Sequence, residues 1–462
     1  MAKVKTAFFC TECGNETPRW QGQCPACGAW NTLAEEPTTR ARPRGRKDAR
    51  LAPTAHGDVA GRAAPRRLTE VAVEESVRWR TGLDEFDFVV GGGIVPGSLV
   101  LIGGEPGIGK STLLLQVAAR LERAGRPALY VSGEESAAQV RMRADRLGNG
   151  TGDVTFLAET ELDAILEHAT GRGPAALFID SIQTVYTPEL DGAPGNVTQV
   201  RECAARLQRF AKETGVAVFL VGHVTKGGMV AGPKTLEHIV DTVLYFEGGA
   251  GLDSRVLRAT KNRFGGVDEI GVFRMSPTGL VPVPNPSELF LGERTEGVSG
   301  SAVVATMEGT RPLLVEVQAL CARTSYAAPQ RVATGFDRQR LALLLAVLEK
   351  RAGIAFGQLD VFLNVVGGVR LAEPAGDLAL VAAIASSVFD RVVPGDAVFI
   401  GEVGLGGELR PVGQVERRLG EAARMGFRRA YVPRRGVPSE TPAGIEVVPV
   451  PDVRTLFQLL FR

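Results

Sequence analysis

The run Gly104-Glu105-Pro106-Gly107-Ile108-Gly109-Lys110-Ser111-Thr112 has the spacing G-x-x-x-x-G-K-[ST]. An apolar run precedes it and a helical pattern follows, which is the context a phosphate loop needs. Its glycines let successive backbone N–H groups converge on phosphate oxygens at a helix N-terminus. Lys110 is placed to reach the β- and γ-phosphates of ATP, and the Ser111 hydroxyl to hold Mg²⁺. The bland alternative, an ordinary glycine-rich turn, does not require that strand-before, helix-after setting.

Three further groups suit the same chemistry. Leu177-Phe178-Ile179-Asp180 is an apolar run ending in a carboxylate. At the C-terminal edge of a buried strand, Asp180 would orient a water on Mg²⁺. Val131-Ser132-Gly133-Glu134-Glu135-Ser136 ends another apolar run. Glu134 is the first choice and Glu135 the second for activating the attacking water; a charge pair serving only a helix N-terminus is the alternative. His223 ends Phe219-Leu220-Val221-Gly222, where a polar residue can sense the γ-phosphate, although a lone histidine is more often structural.

A separate chemistry lies at the N-terminus. Cys10, Cys13, Cys24 and Cys27 form two C-x-x-C pairs, the ligand spacing of tetrahedral structural Zn²⁺, with a rubredoxin-like iron site as the alternative. Gly14 and Gly28 follow the pairs and permit tight turns around sulfur. So small a module needs its metal to fold. Cys203 and Cys321 stand alone and read as buried apolar residues. Trp20 and Trp30 suit either packing on the knuckle or meeting a partner.

The elements that must position these groups follow from pattern. The 462 residues, 44% apolar and 23% charged, imply a globular chain of two or three domains. A net charge of +1 gives no global pull toward nucleic acid, so any basic surface must be local. No run is long enough to span a bilayer, and nothing at the N-terminus reads as a signal peptide, so a cytoplasmic location is expected. Residues 1–33 form the cysteine module. Residues 34–67 are a Pro/Ala/Gly/Arg-rich basic linker including Arg40, Arg42, Arg44 and Arg46. Residues 68–285 alternate apolar runs (128–132, 175–180, 216–221, 242–246) with helical stretches, which implies a doubly wound α/β sheet. Residues 286–462 show a second α/β alternation.

With those motifs in place, the chain resembles the RecA-like ATPase superfamily, and within it the RadA (Sms) family of bacterial DNA repair proteins. The resemblance rests on the four cysteines, 104–112, 131–136, 180–186 and, above all, the signature Lys261-Asn262-Arg263-Phe264-Gly265. It implies a hexameric ring in which Lys261 and Arg263 reach the γ-phosphate of the neighbouring subunit. It also implies that two loops, 187–199 and 225–235, face single-stranded DNA, with Lys226 and Lys234 neutralising phosphates. The resemblance further implies a DNA-dependent ATPase and helicase-like motor on single-stranded or branched DNA, acting in branch migration beside a recombinase and replication proteins, with no membrane partner.

The C-terminal region resembles the proteolytic domain of Lon. Leu371–Ala379 matches the segment bearing the nucleophilic serine, and Ile400–Gly413 the segment leading to the catalytic lysine. Ala375 stands at the serine position and Glu416 at the lysine position. Alanine offers no nucleophile and glutamate no amine base, so no peptidase activity is expected. The fold class expected is therefore a RecA-like α/β core flanked by a zinc knuckle and an α/β Lon-protease-like domain. A nucleotide-regulated scaffold and an ATP-dependent protease are the rival functions.

Overall fold

The computed structural model describes residues 6–10, 15–26, 28–37, 78–148, 151–223, 233–248, 254–267, 269–292, 294–295, 297–325 and 328–461. Most of the basic linker, Cys13, Cys27 and Lys226 lie outside the described residues. The chain forms two compact units. The first takes the described residues up to Leu83, then Val90–Tyr245 and Lys261–Gly265; the second takes Asp84–Val89, Phe246–Thr260 and the described residues from Gly266 onward.

The first unit opens with a small antiparallel sheet of β1 (Thr6–Cys10), β2 (Glu16–Thr17) and β3 (Leu33–Pro37), in the order β2-β1-β3. After α1 (Asp84–Val89), which belongs to the second unit, come β4 (Leu99–Gly104), α2 (Lys110–Arg123), β5 (Ala128–Ser132), α3 (Ala137–Leu147), β6 (Thr155–Ala158), α4 (Leu162–Arg172), β7 (Ala176–Asp180), α5 (Val197–Thr214), β8 (Ala217–His223) and β9 (Thr242–Gly248), whose last three residues lie in the second unit. Strands β4-β8-β7-β5-β6 are parallel neighbours in that order. The central runs β4, β5, β7 and β8 are buried along nearly their whole length, as strands covered by helices on both faces must be. The C-terminal edges of β4, β5, β7 and β8 thus deliver the phosphate loop, Glu134, Asp180 and His223 to one rim. Strand β8 separates the phosphate-loop strand from the Asp180 strand.

The second unit contains β10 (Ser254–Asn262), whose last two residues lie in the first unit, then β11 (Ile270–Ser276), β12 (Gly279–Pro282) and α6 (Pro286–Leu291). Next are β13 (Ser301–Glu308), β14 (Arg311–Arg323), β15 (Arg331–Thr334), α7 (Arg338–Val347), β16 (Leu359–Val365), α8 (Asp377–Phe389), β17 (Ala397–Phe399), β18 (Glu402–Val403), β19 (Leu409–Arg410), α9 (Val415–Arg424), β20 (Arg429–Pro433), β21 (Glu446–Val450) and α10 (Val453–Leu460). A mixed seven-stranded sheet runs β15-β16-β14-β13-β17-β20-β21. Helix α8 lies on it, buried from Asp377 to Ser386. No helix among the described residues is long and apolar enough to cross a membrane.

The expected division at 285/286 differs from the compact units. Strands β11 and β12, and most of β10, group with the C-terminal residues. The reason is a shared core: Ile270 and Val272 are buried in one cluster with Val304, Leu313 and Val315. Ion pairs reinforce it, with Arg258 donating to Glu308 at 2.6 Å and Arg311 to Glu85 at 2.6 Å.

A third ion pair ties α9 to the turn before α8. Arg418, 2% exposed, donates to both carboxylate oxygens of Glu373 at 2.6 Å. Burial opposes ionisation of Glu373, but Arg418 and the Met307 N–H outweigh it and hold its carboxyl below the ordinary range. A depressed folded pKa stabilises the fold above the ordinary carboxylate range, and that contribution is lost as pH falls through the folded value. Breaking a buried pair strands the other charge. We therefore expect Glu373→Gln to cost about 3 kcal/mol in urea unfolding at neutral pH, with a smaller loss of stability on acidification than the parent shows. A Glu373→Met, Arg418→Met double variant should recover most of that loss.

Candidate nucleotide site

The phosphate loop joins β4 to α2. Gly109, the residue before α2, adopts φ 117°, a left-handed conformation closed to most side chains, and no side chain caps the helix. The first N–H groups of α2 are thus left for an anion. Lys110 is 3% exposed. Its ammonium donates to Gly104 O at 2.8 Å and Glu105 O at 2.9 Å. Burial lowers its pKa, while Asp180 and Glu134 oppose that shift. Asp180, at the end of β7, is 5% exposed. It accepts from the Tyr130 hydroxyl at 2.6 Å and hydrogen-bonds the Ser111 hydroxyl. Burial raises its pKa against both hydrogen bonds. A hydroxyl, a buried carboxylate and a buried ammonium around a glycine loop fit a Mg²⁺-bound triphosphate.

The two glutamates after β5 are separated by geometry. Glu135 is held by Arg143 of α3 through two contacts of 2.6 Å. Glu134 instead turns to the rim, where Ser181 Oγ donates to its Oε1 and His223 Nε2 lies 3.2 Å from the same oxygen. The His223 contact leads the causes that lower the Glu134 pKa, which favours its ionised form. The rim thus brings Lys110, Ser111, Glu134, Asp180 and His223 together. Tyr130, Ser181 and Arg143 were not legible in the sequence; their roles follow from strand register and from the approach of α3.

The signature closes on Asp241, a second group that no local pattern marks. Asp241 is 1% exposed. It accepts from Leu99 N at 3.0 Å and Lys212 Nζ at 2.8 Å, with Arg263 at 3.4 Å. Lys261 donates to Glu237 O at 2.5 Å and Val240 O at 2.8 Å, and burial lowers its pKa. Arg263 keeps 55% of its side chain exposed. Asn262 Oδ1 accepts from Phe264 N at 3.0 Å, and the Phe264 ring lies under Lys212. Gly265 packs against Gly91 so closely that a Cβ would meet Gly91 Cα at 3.0 Å. Within this chain, then, Lys261 faces inward and Arg263 outward. Lys234 is exposed in the short helical turn Pro233–Thr235.

In the cysteine module, Cys10 and Cys24 are buried with Leu33. Two equivalent hydrogen bonds recur, Cys10 N donating to Asn15 O and Cys24 N to Ala29 O, both at 2.9 Å. That repeat fits paired metal knuckles. Trp20 and Trp30 are exposed, and both rings approach Gly22. Cys203 is fully buried and Cys321 partly so; burial raises their thiols to about 12 and about 11. In the C-terminal unit, Ala375 is buried and Glu416 exposed on α9. The Glu373–Arg418 pair joins the elements that carry these two residues. Ser386 and Ser387 are committed elsewhere, accepting from Gly300 N and Cys321 N.

Comparison with known proteins decides the family. The chain is 51% identical over 454 residues to DNA repair protein RadA of Bacillus subtilis (strain 168), with 98% of each chain covered. The chain belongs to the RadA family of DNA repair proteins. It is also 52% identical to the Pseudomonas aeruginosa member over the whole of both chains. To the Escherichia coli (strain K12) member it is 50% identical, over 97% of this chain and 96% of that one. Residues 66–229 match the AAA domain model and residues 8–35 the rubredoxin metal binding domain model. An ATPase domain and a metal-binding ribbon are therefore parts of this family member.

The Gly91–Gly265 approach gives a stability test. Gly265→Ala should lose about 1–3 kcal/mol in chemical denaturation. Gly171→Ala, in α4 with open space around its Cα, should instead gain up to about 1 kcal/mol. Equal effects at the two sites would contradict the packing.

Proposed function

We propose that this chain is a DNA-dependent ATPase whose turnover drives movement on single-stranded or branched DNA during recombinational repair, including branch migration. The observation that carries the reading is the shared rim of Lys110, Ser111, Glu134 and Asp180. Lys110 exchanges its contacts with Gly104 O and Glu105 O for phosphate oxygens. Ser111 and Asp180 would hold Mg²⁺, which would supply charge neutralisation at the phosphates. Glu134 takes the proton of the attacking water. His223 grips that carboxylate and begins the segment leading to Lys226 and Lys234, so Glu134 and the DNA loop share one polar link. Arg263, half-exposed and tethered by Asp241, suits completion of a neighbour's site in a ring, with Lys261 holding the segment in shape. Cys10, Cys13, Cys24 and Cys27 would hold Zn²⁺ as a structural ion. The C-terminal unit, lacking a nucleophile at Ala375 and an amine at Glu416, serves as an assembly scaffold and not as a peptidase.

Steady-state hydrolysis with and without single-stranded DNA tests this. The parent should be stimulated by DNA, and Lys110→Ala should be inactive in both conditions. Glu134→Gln should lose about 10²- to 10⁴-fold, whereas Glu135→Gln should stay within about tenfold of the parent because it breaks only the pair with Arg143. An unstimulated parent would instead favour a nucleotide-regulated scaffold, and parental turnover by Glu134→Gln would remove it as the base.

A further inference from the structure

Tyr130 lies mid-way along β5 and is 1% exposed. A phenol so buried needs a partner for its hydroxyl. That partner is Asp180 Oδ2 at 2.6 Å, the short separation of a charge-assisted O–H···O⁻ bond. The ring has little freedom to leave this position. Register sets Tyr130 opposite Phe178 and Phe178 opposite Phe219. The Tyr130 and Phe178 rings stack at 6.2 Å and 19°, and the Phe178 and Phe219 rings at 4.9 Å and 10°. Three nearly parallel stacked rings on three adjacent strands, packed at interior density, fix where the hydroxyl stands.

We propose that Tyr130 is a positioning residue for nucleotide-bound Mg²⁺: the aromatic ladder places its hydroxyl, and the hydroxyl orients the Asp180 carboxylate. Its donation occupies one acceptor site of Asp180 and leaves the others to Ser111 and the cation's water shell. The proposal rests on the reading of Asp180 as the cation-side carboxylate. A purely structural tyrosine would need its hydroxyl bonded too, but its loss would leave the cation requirement unchanged.

The test uses the full-length chain and a fluorescent ADP, reading affinity by anisotropy against Mg²⁺ concentration. Tyr130→Phe keeps the ring ladder. It should raise the Mg²⁺ concentration for half-maximal affinity about tenfold while leaving affinity in EDTA unchanged. A folded Tyr130→Phe with the parental Mg²⁺ requirement overturns the proposal, as does an equal loss of affinity in EDTA. Fluorinated tyrosines at position 130 retain ring shape while altering donor strength. The Mg²⁺ requirement should follow that strength in graded fashion, and a flat response counts against the proposal even if Tyr130→Phe folds poorly. Asp180→Asn separates the two levels. If it leaves the Mg²⁺ requirement unchanged, the reading of Asp180 has failed; if it shifts the requirement and Tyr130→Phe does not, the inference about Tyr130 alone has failed.

Discussion

The carboxylate of Asp241 organises the catalytic edge of the first unit. A carboxylate 1% exposed is tolerated only when its charge is met by donors and cations. Asp241 meets that need with the backbone of Leu99, the ammonium of Lys212 and the guanidinium of Arg263. Its main chain joins in, with Asp241 N donating to Leu99 O at 2.9 Å and Arg263 N donating to Asp241 O at 3.1 Å. The strand that ends in the phosphate loop and the segment that carries the outward arginine are therefore fastened to one residue.

The charges at the rim follow the same logic. Lys110, Asp180 and Glu134 are each satisfied within the chain, by loop carbonyls, by Tyr130 and Ser111, and by Ser181 and His223. These partners meet the hydrogen-bonding needs of three charged groups gathered at one rim. Glu134 and Glu135 show how local packing divides equivalent side chains. The bidentate pair with Arg143 takes one out of the site, and the Ser181–His223 contacts keep the other in it.

The phosphate loop, the strands of the parallel sheet and the cysteine pairs were legible because each is written in short-range spacing. Strand 128–132 matches β5 residue for residue, and the runs ending at Asp180 and near His223 lie within two residues of β7 and β8. What escaped the sequence depends on distant register. Tyr130 matters only because β5 pairs with β7, and Asp241 only because β4 and α5 converge on it. The inward turn of Lys261 depends on carbonyls more than 20 residues away. The unit boundary escaped for a similar reason: Ile270 and Val272 read locally as more of the same α/β alternation, yet they are buried with β13 and β14.

If Arg263 serves a neighbouring subunit while Lys110 serves its own, two inactive variants have complementary defects. Mixing Lys110→Ala with Arg263→Ala chains under conditions that exchange subunits, and measuring ATP turnover, tests this directly. Sites pairing an intact phosphate loop with an intact arginine should form, restoring roughly a quarter of parental turnover at equal proportions. No recovery in demonstrably mixed assemblies would contradict the account.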